Sequence, residues 1–194
     1  MGLATDDVAR SLRGSWQLMT RGEAALDELD LSREGFWRSY LALALMLPAT
    51  IAILAAVRLH AGLPNTEGLF ESPALALAVM TAGLASILAV PALLIVLAPN
   101  LVRAQRFTSF VIAWNWAGIV SASLMAVPAT VFAIGWSNDD IAFVQMIAFA
   151  VIVLRLRYCV ARAAFGAASR VAAPVVLASV IADYAVLRLF GLLG

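Results

Sequence analysis

Five stretches, each at least as long as the roughly 20 residues a helix needs to cross a bilayer, run through this chain with few charges inside them. They cover residues 37–57, 74–98, 108–136, 141–164 and 171–193. No other feature restricts the fold as strongly, because backbone groups in hydrocarbon must be satisfied internally and a helix does so within its own segment. Composition agrees: 63% of residues are hydrophobic and 13% charged, where a soluble domain carries about 45–50% and about 25%. The expected fold class is all-α: a polytopic integral membrane protein with five transmembrane helices and an N-terminal amphipathic interfacial helix. Residues 1–36 read as a cytoplasmic amphipathic segment and 37–194 as the transmembrane domain, a helix bundle.

Arginine placement gives the direction. Arg10, Arg13, Arg21, Arg33 and Arg38 precede span one, Arg103 and Arg106 lie in the second loop, and Arg157, Arg162 and Arg170 flank the fourth. The alternate loops carry Arg58 with Glu67 and Glu71, then Asp139 and Asp140. Short loops rich in Lys and Arg stay in the cytoplasm. The expected location is the bacterial inner membrane, with the N-terminus cytoplasmic and the C-terminus outside. No apolar core of a cleavable signal stands in residues 1–36. Val8, Leu12, Trp16 and Met19 fall near one face of a helix there, as they would on the inner leaflet or against a partner. Asp30 or Ser32 is then the N-cap leading into span one, with Glu34 in the first turn.

The residue inventory excludes much chemistry. All thirteen basic residues are arginine, so P-loop, Schiff-base and Ser/Lys mechanisms have no lysine to use. One histidine, His60, and one cysteine, Cys159, make no metal cluster and no disulfide within the chain. Cys159 reads as a small apolar residue of a helix. A net charge of +1 lacks the basic patch that nucleic acid requires. No paired acids or nucleophile-and-base motifs stand within a span, so no enzyme and no cofactor are expected.

Four features of the spans carry what function the sequence offers. Pro48, Pro91 and Pro128 sit in similar phrases, "LPATIAI", "VPALLIV" and "VPATVFAI", and Pro174 interrupts span five. The first three free the carbonyls of Ala44, Ile87 and Leu124, for which Thr50, Ser86, Ser123 and Thr130 are candidate donors. Small residues four apart, such as Gly118/Ala122 and Ala178/Ala182, predict close helix packing and association with copies or other subunits. Arg155, Arg157 and Arg162, near the inner end of span four, read as snorkelling side chains and candidate lipid-headgroup contacts. Asp183 lies about thirteen residues, roughly 20 Å, beyond Arg170. It is the candidate intramembrane polar site, either a structural carboxyl or an ion or proton group. Arg188 stands about 140° round the same helix, and Arg58 or His60 at the outer end of span one offers a better-placed partner.

Trp114, Asn115 and Trp116 form a polar interruption in span three. Trp114 to Trp136 measures roughly 33 Å of helix, close to the hydrocarbon thickness of about 30 Å. The cluster is therefore placed at the inner aromatic belt, where headgroups, water or neighbouring helix ends satisfy Asn115, and Trp136 beside the outer turn. Trp114 and Trp116 point about 200° apart, so at most one faces lipid while the other packs inward.

The blocks "SLRGSWQLM…ELDLSREGFWRSYLALALMLP" (11–48) and "RYCVARAAFGAASRVAAPVVLASVIADY" (157–184) resemble a group of uncharacterised five-span bacterial inner-membrane proteins, distantly Yip1-like. The resemblance implies a five-helix bundle with a role in membrane organisation or partner recruitment. The Asp-Leu-Tyr-Gly-Pro motif of the wider family is missing, Asp30-Leu31-Ser32 being at best a remnant, so no functional residue is carried over. Two function classes follow. One is a non-enzymatic scaffold, assembly factor or accessory subunit; the other is a small permease or ion- or proton-conducting subunit using Asp183 and the proline-kinked helices.

Overall fold

The computed structural model describes residues 5–60, 73–102, 106–166 and 169–191. Helix α1 (Thr5–Arg21) leads into a 3₁₀ segment at Gly22–Glu28, α2 (Arg33–Leu41), a second 3₁₀ segment at Ala42–Met46 and α3 (Leu47–His60). Then come α4 (Pro73–Leu97), the single turn α5 (Pro99–Val102), α6 (Arg106–Ala133), α7 (Asp139–Phe165) and α8 (Ser169–Leu189). Among the described residues, four helical stretches are long and apolar enough to cross a bilayer: Arg33–His60, Arg106–Ala133, Asp139–Phe165 and Arg170–Leu189. The remaining predicted span falls on α4, a helix of 25 residues that carries no charged side chain. Arg103, Glu67 and Glu71 lie outside the described residues.

Helices α6 and α7 form one antiparallel hairpin and α7 and α8 another, while α3 packs along α6 and α4 along α8. The order α3–α6–α7–α8–α4 closes into a ring where α4 meets α3, and among the described residues that seam is its thinnest contact. Helix α6 is the axis, with 56% of its apolar window buried against 17% in α7. Its far end turns through Gly135 at φ 77°, and the Asn138 side chain then caps α7 by accepting from the Ile141 N–H at 2.9 Å. At the other end α7 stops at Gly166, φ 78°, whose missing Cβ leaves room for the Arg106 guanidinium.

The N-terminal residues fold back over that end. Ser11, Gly14, Ser15 and Leu18 of α1 are buried, and α1 packs on α6, α7 and residues 22–28. A Cβ on Gly14 would stand 2.7 Å from the Glu28 Cβ, so the close approach needs glycine. Of the apolar face predicted around Trp16, Val8, Leu12 and Met19 pack against the core beside buried Leu18, while Trp16 stands off it at 44% exposure. The buried small residues Ser11, Gly14 and Ser15 complete the seat.

A hydrogen-bonded turn connects this layer to the bundle. Ser32 caps α2, its Oγ accepting from the Gly35 N–H at 3.1 Å, and Asp30 Oδ1 accepts from the Ser32 N–H at 3.1 Å. Arg38 reaches Glu34 at 2.7 Å, Asp7 at 3.5 Å and Asp30 at 3.9 Å, tying α2 to α1. The side-chain hydrogen bond with Ser32, opposed by partial burial and aided by the Ser32 N–H and Arg38, holds the Asp30 carboxyl below the usual carboxylate range.

The prolines act differently from one another. Pro91, Pro128 and Pro174 lie inside α4, α6 and α8. Pro48 instead sits at the first turn of α3, a position that needs no N–H. The Ala44 carbonyl is taken by the Leu47 N–H at the end of the 3₁₀ segment, not by Thr50. Thr50 and Thr130 donate to Met46 and Ala126, each four residues back, rather than to the carbonyls predicted for them.

Beneath the N-terminal layer lies the densest core, where Leu18, Phe110, Ile112, Leu156 and Val160 are each at most 1% exposed. The Phe110 and Phe165 rings stack there with centroids 4.9 Å apart. Towards the other end, Leu84, Phe143, Val144, Val151, Leu177 and Ile181 project outward. An apolar surface of that kind suits acyl chains and not water.

Candidate functional site

Helical geometry decides where Arg157 goes. Every Cα–Cβ bond in a helix tilts toward the helix N-terminus. An arginine near the C-terminal end of α7 is therefore aimed back along the bundle, away from the nearer end. On antiparallel α8, Ser179 and Asp183 are four residues apart and share a face, and the same tilt brings them toward Arg157. Arg157 Nη1 meets Asp183 Oδ2 at 2.6 Å and Ser179 Oγ at 3.1 Å. Ser179 in turn donates to the Val176 carbonyl at 2.7 Å. The Arg157 guanidinium also lies 5.5 Å from the centroid of the Trp114 ring, within cation–π range. Three helices thus hold one charged cluster, and no snorkelling to the surface is involved.

The cluster forms part of the wall of a cavity of about 390 Å³ bounded by α3, α4, α6, α7 and α8. Its lining is mainly aliphatic, with Ile53, Leu54, Ile87 and Val153 among the contributors. Thr50, Ser86 and Ser121 add hydroxyls, and Arg157 and Asp183 supply the charges. Small residues open the space: Ala82 and Gly83 on α4, Ala117, Gly118 and Ala122 on α6. Ser121 is 5% exposed, and its buried Oγ has no partner among the described residues.

The other sequence candidates scatter. Asp183 is paired with Arg157, not with Arg188, which is exposed on α8. His60 pairs instead with Asp139, Nδ1 to Oδ1 at 3.0 Å, in an exposed contact between the end of α3 and the start of α7. Arg58, half-buried near the end of α3, is likewise not the ion-pair partner found for Asp183. Arg155 and Arg162 are exposed, and Cys159 is half-buried. Among the described residues no group of His, Cys, Asp and Glu could hold a metal ion.

For the tryptophan cluster, burial corrects the belt placement and favours packing. Trp114, Asn115 and Trp116 are 7%, 1% and 3% exposed and so form no aromatic belt. Asn115 Nδ2 donates to Ser39 Oγ at 2.9 Å, and Ser39 donates on to the Phe36 carbonyl at 2.7 Å. Trp136, at 81% exposure, does project from the far end of α6. The missed pairing had one signal in the sequence: Ser179 and Asp183 at helical spacing, with Arg157 two turns inside its own helix. Trp114 had none, because its position depends on how α6 and α7 pack.

Comparison with protein-family models, with curated proteins and with solved structures finds no match to this chain.

Proposed function

We propose that this chain is a small carrier or permease of the membrane, taking an amphipathic molecule from the bilayer into the space between its five helices. The cavity with the Arg157–Asp183 pair in its wall carries this proposal. A scaffold would be expected to close its core to the density of other protein interiors. An ion pathway would need a succession of polar groups, and here aliphatic side chains dominate the lining. The thin α3–α4 seam offers the ligand a lateral way in. No chemistry is assigned to the site, and the bilayer is both solvent and source. By the arginine distribution, the N-terminal layer faces the cytoplasm of a bacterial inner membrane, with the exposed Trp16 and Arg13 among its headgroups.

Trp114 lines the cavity and is shielded from the lipid outside, which makes it a reporter. Bromine quenches indole fluorescence on contact. The protein in lipid nanodiscs is titrated with dibrominated stearyl compounds of differing head group, alongside Trp114→Phe to isolate the signal. Saturable quenching of the Trp114 component by at least one compound is expected. Absence of any Trp114 quenching across the series would sink the carrier role.

A further inference from the structure

We propose that the ligand carries a head that is uncharged overall and both donates and accepts hydrogen bonds, as a primary amide or an alcohol does, docked on the Arg157–Asp183 pair. This rests on the carrier role above and specifies its substrate class.

The first argument is the bonding left unused. Both hydrogen bonds of Arg157 leave from Nη1, one to Asp183 and one to Ser179. Its Nε and Nη2 donors have no partner among the described residues, although a guanidinium has five N–H groups to place. Asp183 uses Oδ2 and leaves Oδ1 unpaired in the same sense. None of these atoms is sealed inside the protein: the two side chains are 21% and 30% exposed, and both line the cavity. The wall therefore presents spare donors and a spare acceptor side by side.

The second argument is charge. Arg157 and Asp183 neutralise each other. A carboxylate or phosphate added beside them leaves a net negative charge in a low-dielectric space, and an ammonium leaves a positive one. A neutral head completes the hydrogen bonds without that penalty. An ester, which only accepts, satisfies Arg157 but not Asp183 Oδ1. At about 390 Å³ the space lies within the range of about 300–1,000 Å³ common for small-molecule sites and suits a single chain.

Trp114 quenching in nanodiscs at about pH 9, where a membrane-bound carboxylic acid is ionised, ranks four dibrominated stearyl compounds: amide, methyl ester, carboxylate and trimethylammonium. For the wild type the amide is expected to bind at least about tenfold tighter than either charged compound, with the ester between. Asp183→Asn leaves Arg157 unbalanced and shifts the preference to the carboxylate; Arg157→Gln shifts it to the ammonium. The double variant R157Q/D183N is neutral again and restores the amide preference. A wild-type carboxylate affinity equal to that of the amide, or an unchanged ranking in Asp183→Asn, overturns the proposal. Equal quenching by all four overturns it while leaving the carrier role standing, and quenching by none overturns both. Should the single variants fail to fold, the wild-type ranking decides.

Discussion

Asn115 spends its Nδ2 on Ser39, its Oδ1 has no partner among the described residues, and the Tyr40 hydroxyl lies beside its amide. A buried polar group deprived of its partner costs about 1–3 kcal/mol, whereas replacing both partners by apolar side chains of similar shape is close to neutral. Ser39→Ala is therefore expected to lower stability by about that amount. The double variant S39A/N115L should recover most of that loss, as read by thermal unfolding of both variants in one detergent. A double variant no more stable than Ser39→Ala would mean the amide does something beyond satisfying Ser39. The sequence announces the asparagine but not its burial. Spacing between Trp114 and Trp136 measures helix length, and helix length carries no information about which other segments cover it. Asp183 was legible as the costly group of its span, because a carboxyl in hydrocarbon stands out whatever surrounds it. Its partner was not, since the direction of the Arg157 side chain matters more than the depth of its Cα.

Among the elements, α2 and the turn before it were well foreshadowed, because N-capping is local chemistry. Ser32 caps as its neighbours predict, and Asp30 supports it. The placement of α1 was legible in part: Val8, Leu12 and Met19 announce an apolar face, but the small residues Ser11, Gly14 and Ser15 that seat the helix beside Leu18 have little hydrophobic signature. The turn also carries a pH dependence of known sign. A carboxyl held below its usual range binds its proton less readily in the folded state than in the unfolded one. Its contribution to stability is complete above the ordinary carboxylate range, about pH 4, and fades as pH falls through the lower folded value. Hydrogen-exchange protection of residues 29–41, corrected for intrinsic rates, should therefore be weaker in Asp30→Asn than in wild type at neutral pH. The two should converge in acid. A gap that persists unchanged below the titration range would assign the effect to shape rather than charge.

For the whole molecule, helical class and apolar spans follow almost directly from composition and run length, since the bilayer leaves a chain of this kind few alternatives. Ring order does not follow, because it depends on which faces of five similar apolar helices meet. The two ends of the bundle differ in charge: Arg10, Arg13, Arg33 and Arg162 are exposed around the N-terminal layer, and Asp139 and Asp140 at the other end. In a Cys159→Ala background, Asp140→Cys is expected to react with a membrane-impermeant maleimide in intact bacterial cells, and Arg13→Cys only after lysis. The opposite pattern would invert the orientation drawn from arginine.

The pairing of Arg157 with Asp183 also bears on energetics across the membrane. A single elementary charge moved through the full membrane potential does work of about 2.3 kcal/mol per 100 mV. Two opposite charges held 2.6 Å apart travel as a dipole, and if the helices rock with the pair intact the two contributions nearly cancel. With a neutral ligand aboard, the loaded and empty forms would carry the same charge through the field. Exchange of ligand between the leaflets would then be electrically silent, driven by the ligand's own gradient and indifferent to the voltage of the cell.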